Sequence, residues 1–310
     1  EAARASSRQM LACAQFSRYA DPRLAGHGAL PQDGQPWLPL SELLQTMLES
    51  GRLQLPWLEP TGFSDLRFAA PLPLPEAVTR ECRITARSQS WLLQDGVMTR
   101  MCHVRLQSRD LAPNLRRINH FSPLARGMVF LAAAAGSLPP LWDGEMTVTG
   151  PDLPLEDFYA GCGMAEGWRL LEELAPAGDD LWQGRFDGMA QGIAPAGKSG
   201  YCSLLSAVDA ILQAACRIME ETVPGAELAG GRLLWPQGWR LSGIGFIRFA
   251  DAGLLCGARM PWRIQLRRGW DDERLQRYDA QVVDADGRVL LTLHQMEFEK
   301  DVRPQEGAGA

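Results

Sequence analysis

One histidine of this chain stands apart from the other three. His103 and His294 lie in strand-like runs and His120 lies in a polar passage, so structural or exposed positions account for them. His27 lies in the loop Gly-His-Gly-Ala-Leu-Pro, which leads to Pro39 and the first predicted helix. A histidine near a helix N-terminus could do acid-base chemistry on a carbonyl that the helix N–H groups polarise. An ordinary solvent-facing loop histidine is the alternative.

A second candidate pair lies on the second predicted helix. Asp209 and Gln213 are four residues apart and therefore lie on the same face, beside Leu205, Leu212 and Cys216. A carboxylate at the edge of an apolar stripe is desolvated, which raises its pKa and suits a general acid that a neighbouring amide orients. The alternative is a surface aspartate, because the spacing Asp-x-x-x-Gln often occurs by chance.

The motifs of several common enzyme classes are absent from the sequence. No G-x-S-x-G, Walker A, G-x-G-x-x-G or H-E-x-x-H pattern occurs. Cys162, between two glycines, could be a reactive thiol, although a turn is the simpler interpretation. The seven cysteines form no C-x-x-C pair, which argues against a structural zinc or a disulfide framework and favours a reducing cytoplasm. We therefore predict a cytoplasmic protein that binds no metal.

The composition is that of an ordinary soluble protein, with 46% hydrophobic and 22% charged residues. The net charge is -6, no local cluster of Lys and Arg could follow a phosphate backbone, and no apolar run approaches the roughly 20 residues of a membrane span. Nucleic acids and membranes are therefore not predicted as partners. Both chain ends resemble linkers, which predicts that the chain is a piece of a longer polypeptide.

Two amphipathic helices must position the candidate residues. Apolar residues recur at helical spacing over residues 39–50, with Pro39 at the first position and Gly51 just past the end. Residues 203–222 form the second helix, which carries Asp209. Each helix has strand-like runs nearby, namely 65–68, 82–88, 90–93 and 101–107 in the first part, and 181–189, 233–241, 243–250, 255–267, 278–284 and 289–298 in the second.

This repeated order predicts an α+β fold of two halves, in which an antiparallel sheet wraps each helix. The predicted division is a first half at 1–110, a connecting segment at 111–155, a second half at 156–300 and a linker tail at 301–310. A single larger α+β domain is the alternative.

The loop histidine and the Asp-x-x-x-Gln pair together resemble the dehydratase domains of modular polyketide synthases, which have a double hot-dog fold. In that family a motif His-x-x-x-Gly-x-x-x-x-Pro leads into the first helix. Gly34 and Pro39 match its second part, although the gap from His27 is three residues longer, and Asp209 and Gln213 match the second motif. The resemblance covers residues from about 20 to about 300.

Two departures from the family pattern concern its chemistry. The usual Tyr-Gly-Pro is replaced by Met164-Ala165-Glu166, and the usual His-Pro before the aspartate is replaced by Leu204-Leu205. Relatives with the same fold and altered chemistry include pyran-forming cyclases. They also include the branching domains of trans-acyltransferase synthases, which follow a ketosynthase and assist Michael addition.

The resemblance implies acid-base chemistry on an acyl chain carried by the phosphopantetheine arm of an acyl carrier protein, with no cofactor of the domain's own. Neutral His27 would remove the α-proton, and protonated Asp209, oriented by Gln213, would protonate the departing β-hydroxyl. Gly34 and Pro39 would contribute to substrate binding. The partners would be the carrier protein, a ketosynthase in the same polypeptide and a second copy in a homodimer. The alternatives are a β-branching or cyclising domain, or a non-catalytic scaffold that positions the acyl chain for a ketosynthase.

Overall fold

The computed structural model describes residues 3–5, 9–18, 20–21, 24, 27, 36–69, 72–94, 96–134, 136–142, 146–186, 201–222, 238–251, 258 and 260–300. Within these residues, twelve strands form one antiparallel sheet. The α-helices of the described residues are α1 Leu40–Gln54, α2 Glu156–Gly161 and α3 Tyr201–Thr222. None of the helices in this part of the chain is long and apolar enough to cross a membrane.

The strands divide equally between the two halves of the chain. Those of the first half are β1 Ala3–Ala5, β2 Gln9–Phe16, β3 Glu59–Phe68, β4 Thr79–Gln94, β5 Val97–Leu111 and β6 Ser122–Ala132. Those of the second half are β7 Leu171–Gly178, β8 Leu181–Phe186, β9 Trp239–Phe249, β10 Trp262–Asp271, β11 Leu275–Val283 and β12 Val289–Lys300. Their order in the sheet is β1-β2-β4-β5-β6-β3-β9-β12-β11-β10-β8-β7.

The sheet continues from one half to the other through β3 and β9. These strands pair antiparallel, with Phe63 opposite Ile247. Helix α1 packs on the strands of the first half, α3 packs on those of the second half, and the two helices contact each other. The predicted α+β double hot-dog fold is confirmed, and its two sheets are joined into one.

Helix α1 extends beyond the glycine that was predicted to follow its end. The helix runs to Gln54, so Gly51 lies inside it and is buried. A Cβ atom on Gly51 would lie 3.1 Å from Cγ1 of Val129 and 3.4 Å from Cδ1 of Leu131. The glycine therefore allows a close approach between α1 and β6 and does not cap the helix.

The segment 111–155, predicted as a connection, contains the regular strand β6. The Pro- and Asn-rich passage at its start is a tight loop between β5 and β6, in which Asn119 bonds to Asp110. The path to the second half begins after β6 and contacts β7, where the Leu153 amide donates to the carbonyl of Leu174. The sequence pattern missed β6 because both of its faces are largely apolar, so it shows no clean alternation.

Other strand predictions were partly right. The runs 82–88 and 90–93 form one strand, β4, with an irregularity between Ser88 and Trp91. The runs near 65–68, 101–107, 243–250, 278–284 and 289–298 lie within longer strands, whereas β2 and β7 were not predicted. Residues 187–189, 233–237 and 255–257 of the predicted runs, and the tail 301–310, lie outside the described residues.

Candidate active site

His27 is enclosed by two tryptophans and is not an exposed loop histidine. Its side chain is buried, and its ring lies 5.0 Å from that of Trp37 and edge-on to that of Trp168 at 4.6 Å. Its Nδ1 lies 3.2 Å from the carbonyl oxygen of Trp37. Because a carbonyl oxygen can only accept, Nδ1 carries the hydrogen and Nε2 keeps a lone pair.

Burial also determines the charge of His27. Desolvation lowers its pKa from 6.5 to about 3, and the hydrogen bond to Trp37 offsets this only in part. The imidazole is therefore neutral at physiological pH, with Nε2 able to accept a proton.

Asp209, on α3, binds the N-terminus of α1. Its Oδ1 accepts the backbone N–H of Leu40 at 3.0 Å, and its Oδ2 accepts that of Ser41 at 3.2 Å. The residue at the N-cap of α1, Pro39, supplies no side-chain cap, so a carboxylate from the other half of the chain caps the positive end of this helix. These two N–H groups, which were predicted to polarise a substrate carbonyl, are therefore occupied by Asp209.

The pKa of Asp209 is raised from 3.8 to about 7. The cause is complete burial of the carboxyl group, which outweighs the hydrogen bonds from Ser41 and Leu40 that lower the pKa. Protonated and ionised forms therefore coexist near neutral pH, which suits a group that both gives and takes a proton.

Gln213, one turn along α3, holds the segment that leads into β7. Its Nε2 donates to the carbonyl of Trp168 at 2.8 Å, and its Oε1 accepts the N–H of Leu170 at 3.1 Å. It makes no hydrogen bond to Asp209, which it was predicted to orient. It holds the backbone of Trp168, and the ring of Trp168 contacts His27.

Tyr159, on α2, completes this network and was not predicted as a site residue. Its hydroxyl lies 3.1 Å from the carbonyl oxygen of Leu171 and 3.2 Å from Oε1 of Gln213, and it accepts the Leu171 N–H at 3.0 Å. Burial raises the pKa of Tyr159, so the hydroxyl stays protonated. No sequence pattern indicated this role, since the partners lie far apart along the chain.

The three predicted catalytic residues are thus joined through shared neighbours. Trp37 contacts His27 and precedes the α1 N-terminus that Asp209 caps, while Trp168 contacts His27 and is held by Gln213. Of the two predicted substrate-binding residues, Pro39 is buried at the start of α1 and Gly34 lies outside the described residues.

The reactive-thiol interpretation of Cys162 is not supported. The side chain is buried, and burial raises its pKa to about 12, so the thiol stays protonated at physiological pH.

No family model matches the sequence, and no curated protein matches it significantly. Solved structures of dehydratase domains do match. GphF dehydratase 1 has a TM-score of 0.63 at 14% identity, over 95% of both chains. The CurH dehydratase domain of the curacin polyketide synthase has 0.64 at 14%, over 96% of this chain and 93% of that one. The dehydratase domain of RzxB from Pseudomonas fluorescens has 0.62 at 14%, over 94% of both. The chain has the dehydratase-domain fold.

Within this dehydratase-domain fold, the two central helices meet where the neutral imidazole and the titrating carboxyl group lie. Helix α3 carries Asp209 and Gln213, and the segment before α1 carries Trp37, which bonds to His27. The arrangement supplies a proton acceptor, Nε2 of the neutral His27 imidazole, and a proton donor, the protonated carboxyl group of Asp209.

Proposed function

We propose that the chain is a dehydratase-like polyketide synthase domain that removes water from a β-hydroxyacyl thioester. The observation that carries the proposal is that His27 bonds to the backbone of Trp37, just before the α1 N-terminus that Asp209 caps. A neutral imidazole and a carboxyl group with a pKa of about 7 are therefore held at the same helix terminus. The likeness in fold to polyketide synthase dehydratase domains over nearly the whole chain supports it.

The reaction follows from these two groups. Nε2 of His27 takes the proton from the α-carbon of the thioester, while protonated Asp209 gives its proton to the β-hydroxyl group. A C–H bond and a C–O bond break, a carbon-carbon double bond forms, and water leaves. The two neutral groups become an imidazolium and a carboxylate together, so the net charge of the buried site does not change. This limits the cost of creating charge away from solvent.

In this proposal the acyl chain arrives on the phosphopantetheine arm of an acyl carrier protein, and the domain needs no cofactor of its own. A ketosynthase in the same polypeptide, a homodimeric state and a cytoplasmic location belong to the same proposal. Conjugate addition in β-branching, or cyclisation, would use the same two groups, and the mass of the product distinguishes these reactions from dehydration.

One observation favours a second candidate, a non-catalytic scaffold that holds the chain for a ketosynthase. The Trp168 ring lies in a T-shaped contact with the His27 imidazole, and both oxygens of Asp209 accept hydrogen bonds from α1. Protein groups thus occupy the immediate surroundings of the two residues.

The test is a mass-spectrometric assay with a β-hydroxyacyl chain loaded on a carrier protein. The parent chain is expected to release water, and His27→Ala and Asp209→Asn to lose this activity, while His294→Ala, at a half-buried position on β12, keeps it. If the parent and all variants retain the water, dehydration of that substrate is excluded. A Trp168→Ala variant that then gains the activity would show that the indole blocks the site.

A further inference from the structure

The outer face of the first-half sheet carries arginines that the sheet places side by side. Residues of β5 alternate between the core and this face, so Val104 and Leu106 are buried against α1 while Arg105 is exposed on the opposite side. Arg87 on β4 and Arg126 on β6 are exposed on the same face. We call Arg87, Arg105 and Arg126, with His103 between them, the arginine face.

The register of the strands puts like charges directly opposite each other. Arg105 lies opposite Arg126, and Arg126 in turn lies opposite Arg67 of β3. Adjacent strands are about 4.8 Å apart, and like charges in directly opposite positions destabilise a sheet. Folding alone gives no reason for three arginines in one row.

Among the described residues, Arg67 is the one arginine of this row that has an acidic partner. Arg67 pairs with Glu297 of β12 at 2.5 Å. Among the described residues, Arg87, Arg105 and Arg126 make no ion pair, although the chain has 37 acidic residues against 31 basic ones. Arg109, farther along β5, does pair with Glu81 of the neighbouring strand.

The pKa of His103 reflects the positive charges on this face. Its pKa is lowered first by partial burial and then by the charges of Arg105 and Arg126. The imidazole therefore adds no positive charge at neutral pH, and the three guanidinium groups remain as the charged groups of the face.

We propose that the arginine face docks an acidic face of a protein partner. Guanidinium groups bind carboxylates through paired hydrogen bonds, and such a partner would relieve the repulsion between Arg105 and Arg126. A nucleic acid fits less well, because the chain has a net charge of -6 and three exposed arginines are too few to follow a phosphate backbone. The face lies across the sheet from α1 and the candidate active site, so this inference goes beyond the proposed function and does not depend on it.

The test is a binding titration of the purified chain with a fluorescent oligo-glutamate peptide, at ionic strengths of about 0.02 and 0.2 M. The parent is expected to bind more weakly at the higher salt. The double variant R105E/R126E is expected to lose about tenfold or more in affinity. The matched control is R116E/R274E, which reverses two exposed arginines outside the face and keeps the same net charge as the test variant.

Several results would overturn the proposal. They are absence of peptide binding by the parent, equal loss in both double variants, tighter binding to a DNA duplex than to the peptide, or self-association through this face without peptide binding. Urea unfolding curves of the parent and the variants show whether a loss of peptide binding comes from a loss of folding. The single variant R105E places opposite charges across from each other, so we expect its midpoint to equal or exceed that of the parent.

Discussion

Asp209 binds the first turn of α1 through the amide of Leu40, at a distance of 3.0 Å and across 169 residues of sequence. One carboxyl group thereby caps a helix of the first half while it belongs to a helix of the second half. The contact fixes where α3 meets α1, so a residue proposed for catalysis also determines how the halves pack. Changes at Asp209 should therefore affect both stability and chemistry.

The stability of the fold should respond to the ionisation of Asp209. Because burial raises its pKa from 3.8 to about 7, the folded chain holds a proton there that the unfolded chain has lost between these values. The contribution of Asp209 to stability therefore falls as the pH rises from 4 to 7, by up to ~4 kcal/mol. We therefore expect the free energy of unfolding of Asp209→Asn, measured in urea, to increase relative to that of the parent as the pH rises from 4 to 7.

A flat difference between the parent and Asp209→Asn from pH 4 to 7 would contradict this interpretation of Asp209. If capping of α1 dominated over burial, the pKa would lie below 3.8, and the stability of the parent relative to Asp209→Asn would change only below about pH 4. Asp65→Asn, at an exposed position on β3, is the control, and an equal trend in this variant would show that the effect does not come from Asp209.

His27 should make the fold sensitive to acid. Burial lowers its pKa from 6.5 to about 3, so its contribution is fully present above pH 6.5 and is lost as the pH falls towards 3. The loss amounts to up to ~5 kcal/mol. We expect His27→Gln, whose amide can still donate to the Trp37 carbonyl, to be less stable than the parent at pH 7 and to approach it at pH 4.

Between about pH 4 and 6.5 the contribution of His27 to stability rises with pH while that of Asp209 falls, so the two partly cancel in the stability curve of the parent. Comparing the free energy of unfolding of each variant with that of the parent separates the two contributions. His294→Gln, at a half-buried position on β12, is the control for the histidine; an equal acid response in this variant would contradict the role of complete burial at His27.

The sequence indicated the two helices, and it suggested two candidate site residues, because the signals are local. Helical spacing of apolar residues identified α1 and α3, and the loop before α1 singled out His27. A raised pKa of Asp209 was predicted correctly, but α3 is buried on all sides around this residue, so complete burial and not a position at the edge of an apolar stripe causes the shift. Each of these inferences needs only neighbours within a few turns of helix or loop.

The sequence could not indicate contacts that depend on register and long-range packing. Trp168 meets His27 only because Gln213 and the start of β7 hold it there. Arg105 and Arg126 are 21 residues apart, so a search for local basic clusters missed a face that strand pairing creates. These contacts form only when the strands pair and the two central helices pack together.

Gln213 should act through Trp168 and not through Asp209. Gln213→Leu removes the hydrogen bonds of Gln213 to the Trp168 carbonyl and the Leu170 amide, which should lower the free energy of unfolding by about 2–4 kcal/mol. If the domain dehydrates its substrate, we expect the rate to fall while the pH dependence attributed to Asp209 stays in place. The measurement is a pH profile of turnover. Tyr159→Phe, which removes one hydroxyl of the same network, is the milder comparison, and a shifted profile in Gln213→Leu would show that it orients Asp209 after all.

A buried carboxylate joins the two halves on the outer side of the sheet. Glu297 of β12 is buried and pairs with Arg67 of β3 at 2.5 Å and with Arg277 of β11 at 2.9 Å. Glu297→Gln would remove the charge of the buried carboxylate that the guanidinium groups of Arg67 and Arg277 share. We expect the free energy of unfolding to fall by about 1–3 kcal/mol, a loss that salt reduces as it screens the two arginines.

The matched comparison for Glu297 lies two residues away on the same strand. Glu299 pairs with Arg240 at 2.8 Å, but both side chains are substantially exposed, so solvent already screens their attraction. Glu299→Gln should therefore cost less than about 1 kcal/mol. Equal urea midpoints for the two variants would show that Glu297 is no more than a surface ion pair. A larger loss in Glu297→Gln would instead show that the buried ion pairs with Arg67 and Arg277 stabilise the fold where β12 of the second half meets β3 of the first.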